Sequence, residues 1–136
     1  MEYFKIKLTT VLIFVLSLVS ISCGSKSTTE EKEFVVLEAK KFDQRIANEE
    51  NPQVIDVRTP AEFSEGTMIY AVNYNWLDST LHKNINALDP NKTVYVFCQS
   101  GGRSARAARY LKQEGFKSVV DLKGGMTAWY EADPIE

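Results

Sequence analysis

Thr93 to Ser104, with the sequence TVYVFCQSGGRS, is the stretch that decides the fold. Thr93 to Phe97 is a continuous β-branched and aromatic run, which is typical of a strand buried on both faces of a parallel sheet. A loop with two glycines follows it, and small apolar residues then recur at helical spacing from Ser104 to Glu114. This order of strand, loop and helix predicts one unit of a parallel sheet covered by helices.

The same alternation continues on both sides of that unit. Further strands are predicted at Phe34 to Leu37, Val54 to Val57, Ala71 to Asn73 and Val119 to Leu122. Apolar residues at helical spacing predict one helix over Ala39, Phe42 and Ile46 and another over Leu77, Leu81, Ile85 and Leu88. A short helix is predicted to begin at Pro60, with Thr59 as its N-cap, and to end at Gly66. A last helix is predicted from Gly124-Gly125 through Trp129. We therefore expect a three-layer α/β fold with a mainly parallel, roughly five-stranded sheet and helices on both faces.

Composition limits the classes of function. The chain has 136 residues, 44% of them hydrophobic, with 2 Cys and 1 His, which suits one globular domain and excludes a disulfide scaffold or a Cys-rich zinc module. With 16 basic against 18 acidic residues, it lacks the positive charge typical of nucleic-acid binders. No nucleic-acid partner, cofactor or metal is expected, and we expect a monomer.

The N-terminal segment has the pattern of a bacterial secretion signal. Lys5 and Lys7 precede the uncharged run Leu8 to Ser22, which is shorter than the ~20 residues of a membrane-spanning helix. Small residues before Cys23 resemble a lipobox, although Ser20 stands where an aliphatic residue is common. Residues 1–22 are therefore predicted to be a signal peptide and Cys23 a lipidated N-terminus. An uncleaved anchor helix and an ordinary secretory signal are the alternatives.

Residues 23–33 are predicted to form the lipidated cysteine and a flexible tether, because Gly24 to Glu33 contains no apolar residue. A frayed terminus without a role is equally compatible with this composition. The expected location is the cell envelope, with the lipid anchor in the inner or outer membrane facing the periplasm, or secretion if Cys23 is not lipidated.

The chemistry is concentrated in the loop that follows the predicted strand. Its residues are Cys98, Gln99, Ser100, Gly101, Gly102, Arg103 and Ser104. Such a loop can turn several backbone N–H groups onto one anion, and a helix N-terminus adds partial positive charge. Positive φ angles are expected at Gly101 and Gly102. A cysteine at the head of this loop is expected to be a nucleophile, whereas a buried cysteine before an ordinary turn is the plain alternative.

Three motifs resemble the rhodanese-like sulfurtransferases, over residues 34–136. Val54 to Phe63 (VIDVRTPAEF) resembles the family's aspartate-x-arginine segment, and Cys98 to Ser104 its active-site loop. Gly124-Gly125-Met126 with Trp129 and Pro134 resembles its closing segment. The chain departs from the family between Gly66 and Asn73, where Thr67 and Tyr70 stand in place of a usual histidine and glycine.

The resemblance implies that Cys98 takes a sulfane sulfur from a donor as a persulfide and passes it to an acceptor. The implied enzyme is of the thiosulfate sulfurtransferase type. Its implied donor is thiosulfate or a persulfide, and its implied acceptor is a thiol, cyanide or a protein. Inward N–H groups from Ser100 to Arg103 would stabilise the charged terminal sulfur without a general base. His82, the single histidine, is expected to face solvent.

Supporting roles are assigned to Asp56 and Arg58. Asp56 is expected to accept a hydrogen bond from Arg103 or from a loop N–H. Arg58 is expected to pair with Glu62 at the surface, because the two are four residues apart, and to add positive potential over the pocket. For Arg103, a role in attracting an anionic donor and a structural salt bridge stay open. Trp129 and Phe63 are interpreted as core aromatics.

Two other functions fit the same architecture. One is a Cys-dependent phosphatase or arsenate reductase, and the other is a catalytically idle module that binds a partner or stores sulfur. Gln99 to Gly102 separates Cys98 from Arg103, one residue fewer than in related phosphatases. The shorter loop predicts too little room for a phosphoryl group. The retained cysteine and glycines argue against the idle module.

Overall fold

The computed structural model describes residues 34–132. The predicted signal peptide, Cys23, the tether and Pro134 lie outside the described residues. The strands are β1 (Val35–Leu37), β2 (Gln53–Asp56), β3 (Ala71–Asn73), β4 (Thr93–Phe97) and β5 (Ser118–Leu122). The helices are α1 (Ala39–Ala47), α2 (Pro60–Ser64), α3 (Thr80–Asn84), α4 (Gly102–Gln113) and α5 (Gly125–Glu131), with a 3₁₀ turn at Ile85–Ala87.

The five strands form one sheet in the order β1-β5-β4-β2-β3, and each neighbouring pair is parallel. The predicted α/β class is therefore confirmed. β4 is the central strand, with Val96 in register with Ile55 of β2 on one side and with Asp121 of β5 on the other. The residues that follow these three strands consequently meet at one edge of the sheet, where open α/β sheets bind their ligands.

Side chains of β4 alternate between two cores. Val94, Val96 and Cys98 pack on the face covered by α3 and α4, whereas Tyr95 and Phe97 pack on the face covered by α1 and α5. A strand buried on both faces explains why Thr93 to Phe97 has no alternation of polar and apolar residues. Helices therefore cover both faces of the strand that precedes the cysteine, as predicted.

The short helix α2 begins as the sequence predicts. The Thr59 hydroxyl accepts a hydrogen bond from the Glu62 amide, the Glu62 carboxylate accepts one from the Thr59 amide, and Pro60 occupies the first turn. This capping box satisfies two of the N–H groups that a helix start leaves without partners. Glu62 is thereby held at a fixed place near the end of β2.

The predicted helix from Leu77 to Leu88 is shorter than expected. α3 begins only at Thr80, because Ser79 has a left-handed φ of 64° and the Asp78 carboxylate accepts from the Thr80 amide at 2.9 Å. Local side-chain bonds of this kind compete with the helical pattern. Leu77 is accordingly 65% exposed, whereas Leu81 is fully buried.

Leu81→Ala is expected to lower the free energy of unfolding by about 2–5 kcal/mol, because it leaves a cavity in the core beside α4. Leu77→Ala is the matched control and is expected to change stability by no more than about 0.5 kcal/mol. Urea unfolding followed by circular dichroism measures both. Equal losses in the two variants would contradict the position of the helix start.

Candidate active site

Cys98 lies at the floor of the loop that joins β4 to α4. The residue is only 1% exposed, and its Sγ accepts a hydrogen bond from the Gly101 amide with an N···S distance of 3.1 Å. Gly101 thus supplies one of the N–H donors expected from the segment Ser100 to Arg103. Ser100 lies exposed at the outer turn of the loop.

Both backbone polar groups of Gly101, its N–H and its C=O, are hydrogen-bonded. Its φ of 96° lies in the left-handed region that favours glycine, and its carbonyl accepts bonds from the Ser104 hydroxyl at 3.2 Å and the Ala105 amide at 3.0 Å. The expectation of positive φ is wrong for Gly102, because that residue is already the first of α4. Only Gly101 of this pair therefore needs the glycine backbone to turn its N–H toward the sulfur.

The start of α5 binds the carbonyl side of the loop. Met126 N donates to the Cys98 carbonyl at 2.8 Å, and Thr127 donates to the Gln99 carbonyl through its amide and its hydroxyl, each at 3.0 Å. The C=O and N–H of a trans peptide point in opposite directions. Because α5 holds the Cys98 and Gln99 carbonyls, the amides of Gln99 and Ser100 point away from α5.

Gly125 allows this approach. A Cβ atom at this position would lie 2.3 Å from the Cys98 carbonyl oxygen and 2.7 Å from the Gln99 carbonyl carbon, and its φ is 60°. No side chain fits between α5 and the loop. The second glycine of the Gly124-Gly125 pair is therefore required by contact with backbone as well as by conformation.

Gln99 connects the three motifs. Its Oε1 accepts a hydrogen bond from Arg58 Nη1 at 3.3 Å, and its Nε2 donates to the Thr127 hydroxyl at 3.2 Å. The side chain thus reaches the segment after β2 in one direction and the start of α5 in the other. Gln99 stabilises the arrangement of the loop rather than the sulfur directly.

Asp56 and Arg58 form a buried ion pair, and the two contacts expected for them are wrong. Arg58 Nη2 donates to Asp56 Oδ2 at 2.7 Å, Arg58 Nε donates to both carboxylate oxygens at 3.0 Å, and Thr67 Oγ1 donates to Oδ2 at 3.0 Å. Asp56 and Arg58 are 0% and 3% exposed. Asp56 accepts no bond from Arg103 or from the Cys98 loop, because Arg58 and Thr67 occupy its oxygens.

Arg58 does not reach Glu62, because α2 starts after Arg58. The spacing of four residues brings side chains together only within one helix, and Thr59 is the N-cap. The guanidinium instead folds back and donates to the Gly66 carbonyl at 2.6 Å. With its charge paired and its surface buried, Arg58 ties the segment after β2 to the loop at Gly66.

Glu62 pairs with Arg103 instead. Arg103 Nη1 and Nη2 donate to the two carboxylate oxygens of Glu62 at 2.8 and 2.6 Å, which lowers the pKa of Glu62 to about 2. The pKa of Arg103 is raised, chiefly by Glu62 and further by the Cys98 side chain. Arg103 therefore makes the salt bridge and also faces the sulfur.

The segment that departs from the family has consequences for the site. Thr67 supplies the hydroxyl that bonds Asp56, and Tyr70 adopts a left-handed φ of 66° although it is not a glycine. Tyr70 is 60% exposed and Ile69 is 72% exposed. The departure thus places two apolar side chains on the surface and leaves Asp56 fully bonded.

Asp121 is a residue that sequence reasoning missed. It lies in β5, is 3% exposed, and its Oδ1 has no hydrogen-bond partner among the described residues. Burial is the main reason that its pKa rises to about 6, against opposing bonds from Ser104 and from the Leu122 amide. The signal in the sequence was a single acid within an otherwise apolar strand.

The remaining candidates have contacts of their own. His82 is exposed, with its ring tilted by 43° against that of Tyr110 and the ring centroids 4.3 Å apart, so it faces solvent as expected. Trp129 is half-buried against the core of α1 and α5, and its Nε1 donates to Asp43 at 2.9 Å. Phe63 is half-buried.

Within residues 34–132, no group of three or more His, Cys, Asp or Glu side chains is placed to hold a metal ion. Of the helices in that range, none is long and apolar enough to cross a membrane.

Comparison with known proteins places this geometry in a family. Residues 38–132 match the family model described as a rhodanese-like domain. The chain belongs to the rhodanese-like family. A sulfurtransferase of Allochromatium vinosum is 32% identical over 96 residues, which are 68% of this chain and 85% of that protein. A thiosulfate sulfurtransferase of Shewanella oneidensis is 36% identical over 81 residues, 60% of this chain and 78% of that protein.

A solved structure agrees with the assignment. A rhodanese-like domain protein from Staphylococcus aureus is 28% identical, with a TM-score of 0.64 over 71% of this chain and 91% of that one. The rhodanese-like resemblance drawn from the three motifs is therefore confirmed. In this member of the family, the loop of Cys98, the segment after β2 and the start of α5 form one bonded unit.

Gly125→Ala is expected to lower the free energy of unfolding by about 3–5 kcal/mol, because strain at a positive φ adds to a backbone clash with the Cys98 loop. Gly115→Ala is the matched control, since Gly115 has a φ of 94° and open space around its Cβ position. It should lose only about 1–2 kcal/mol. Urea unfolding that gave equal losses would show that the contact with the loop carries no energy.

Proposed function

We propose that the protein is a sulfurtransferase that carries a sulfane sulfur on Cys98 as a persulfide. The observation that supports this most directly is the hydrogen bond from the Gly101 N–H to Cys98 Sγ, at 3.1 Å, just before the start of α4. The neighbouring helix α5 binds the carbonyls of the same loop. Backbone donors and a helix N-terminus stabilise negative charge on sulfur. Membership of a family with sulfurtransferases supports the same conclusion.

In the first step the Cys98 thiolate attacks the sulfane sulfur of the donor. A bond forms between Sγ and that sulfur, and the bond from the sulfane sulfur to the rest of the donor breaks. The leaving group keeps the electron pair, as sulfite from thiosulfate or as a thiolate from a persulfide. The negative charge then lies on the terminal sulfur of the Cys98 persulfide.

In the second step an acceptor thiolate or cyanide attacks the terminal sulfur. The Sγ–S bond breaks, the sulfur leaves with the acceptor, and Cys98 returns as a thiolate. Neither step needs a general base, which agrees with the exposed position of His82. Glu62 would turn the Arg103 guanidinium toward the incoming donor while neutralising its charge.

The charges around the site favour a persulfide donor over thiosulfate. Both arginines near the loop are paired with carboxylates, Arg58 with Asp56 and Arg103 with Glu62. A dianion such as thiosulfate therefore meets no unpaired cation at these two residues. A singly charged small persulfide requires less compensation, so we propose it as the preferred donor.

Cys98→Ser is expected to abolish sulfur loading, because it removes the proposed nucleophile. The test uses chains that carry Cys23→Ser, so that Cys98 is the only thiol, and the matched control retains Cys98. Intact-protein mass spectrometry after incubation with glutathione persulfide or thiosulfate should show one added sulfur atom in the control alone. Equal loading of the Cys98→Ser chain would refute the mechanism.

The same proteins separate sulfur transfer from the other two functions. Hydrolysis of an aryl phosphate at a rate comparable to sulfur transfer would favour the phosphatase. A persulfide that forms but is never passed to glutathione or cyanide would favour the idle module. We expect turnover of sulfur and no hydrolysis of the phosphate, because the loop has one residue too few for a phosphoryl group.

We further propose that the protein is lipid-anchored in the cell envelope through Cys23, on the sequence pattern alone. Expressed with its own N-terminus in a bacterium, the protein should partition into detergent with the membranes. Cys23→Ala should leave an uncleaved precursor, because the lipidated residue is lost, whereas Cys98→Ser should be processed normally. Soluble protein that begins after residue 23 would instead show an ordinary secretory signal.

A further inference from the structure

Asp121 is a buried acid with an incomplete set of hydrogen bonds next to the Cys98 loop. It is 3% exposed, and its Oδ1 has no partner among the described residues. A buried carboxylate oxygen without a partner is costly, since it loses the hydrogen bonds that it makes in bulk solvent. The ion pairs of the site involve other residues, so the steps proposed above give Asp121 no task.

The sheet places Asp121 on the same face as Cys98. Asp121 is in register with Val96 of the neighbouring strand β4, and Cys98 follows Val96 by two residues. Side chains two residues apart on a strand point to the same side. Val119, two residues before Asp121, packs in the same core as Cys98, which agrees with this placement.

Ser104 joins Asp121 to the donor on the sulfur. The Ser104 hydroxyl bonds the Gly101 carbonyl at 3.2 Å and also interacts with the Asp121 carboxyl. A hydroxyl has a single proton to donate. An ionised Asp121 competes with the Gly101 carbonyl for the hydrogen bond that the Ser104 hydroxyl donates. A protonated Asp121 can instead donate to Ser104 Oγ, so that the Ser104 hydroxyl still donates to the Gly101 carbonyl.

We propose that Asp121 is a positioning residue of the Cys98 loop, which acts in its protonated form through Ser104 and Gly101. With the acid protonated, the Ser104 hydroxyl keeps its bond to the Gly101 carbonyl and so fixes the residue whose N–H binds Sγ. The ionised acid draws the Ser104 proton away from the Gly101 carbonyl and adds negative charge on the face of the sheet that carries Cys98. Ionisation of Asp121 therefore disfavours the anionic forms of Cys98, both the thiolate and the persulfide.

Among the described residues, Arg109 of α4 is the group whose charge lowers the pKa of Asp121. Cys98 is the titratable group on the same face after β4. β1 places the apolar Val36 opposite it. Burial outweighs these effects and raises the pKa of Asp121 to about 6. The change of form is therefore expected near neutral pH.

The test measures the rate at which iodoacetamide alkylates Cys98 in Cys23→Ser chains, from pH 5 to 7.5. Asp121→Asn mimics the protonated acid, because its amide can donate to Ser104. At pH 5 the variant and the wild type should react alike. At pH 7.5, where the wild-type acid is ionised, the variant should react about three- to tenfold faster.

Three further measurements make the result specific. Asp43→Asn is the matched control, since burial also raises the pKa of Asp43 but its carboxylate binds Trp129 on the other face of the sheet, and it should not alter the profile. In a Ser104→Ala background the effect of Asp121→Asn should shrink at least severalfold, because the connecting hydroxyl is gone. NMR titration of the wild-type carboxyl should give a midpoint near 6 for Asp121.

Superimposable pH profiles for the wild type and Asp121→Asn would overturn the inference, as would an NMR midpoint near the ordinary 3.8. An undiminished effect in the Ser104→Ala background would overturn the route through Ser104. The effect on sulfur loading rests on the proposed function, but alkylation does not. A shifted alkylation profile without sulfur loading would therefore refute the sulfurtransferase and retain the role of Asp121.

Discussion

The contact between Gly125 and the carbonyls of Cys98 and Gln99 is the constraint on which the site depends. A Cβ at Gly125 would lie 2.3 Å from the Cys98 oxygen, so α5 approaches as closely as a backbone can. The amides of Met126 and Thr127 then bind both carbonyls. Because carbonyl and amide of each peptide point in opposite directions, fixing the carbonyls on one side leaves N–H groups for the other. A helix that contains no reacting group thus determines which polar atoms the loop presents.

The order of strands explains why motifs far apart in the chain form one site. β4 lies between β5 and β2, so the residues after all three strands emerge at the same edge. The Gln99 side chain is hydrogen-bonded to Arg58, which follows β2, and to Thr127 in α5, which follows β5. The buried pair of Asp56 and Arg58 then fixes the β2 side through Gly66. Contacts from the segments after β2 and β5 therefore hold the Cys98 loop in place from both sides.

The sequence was informative where local chemistry decides the structure. A continuous apolar run identified β4, the capping residues Thr59 and Pro60 identified α2, and the glycine loop located Cys98. It failed where a partner lies far away in the chain or where local bonds override periodicity. Spacing paired Arg58 with Glu62, but a helix start between them separated the two. Nothing local to Asp121 indicates that Ser104, from another element, lies beside it.

The two ion pairs differ in what they can do during a reaction. Arg58 and Asp56 are 4% and 0% exposed at their side chains, and the Arg58 guanidinium also binds Gly66 and Gln99, so separating the pair would leave a buried charge. Arg103 and Glu62 are 22% and 28% exposed, and solvent can replace either partner. The pair of Arg103 and Glu62 is therefore the more readily separated of the two, whereas Arg58 stays fixed. Of the two arginines, Arg103, in the first turn of α4, is therefore the one that solvent reaches.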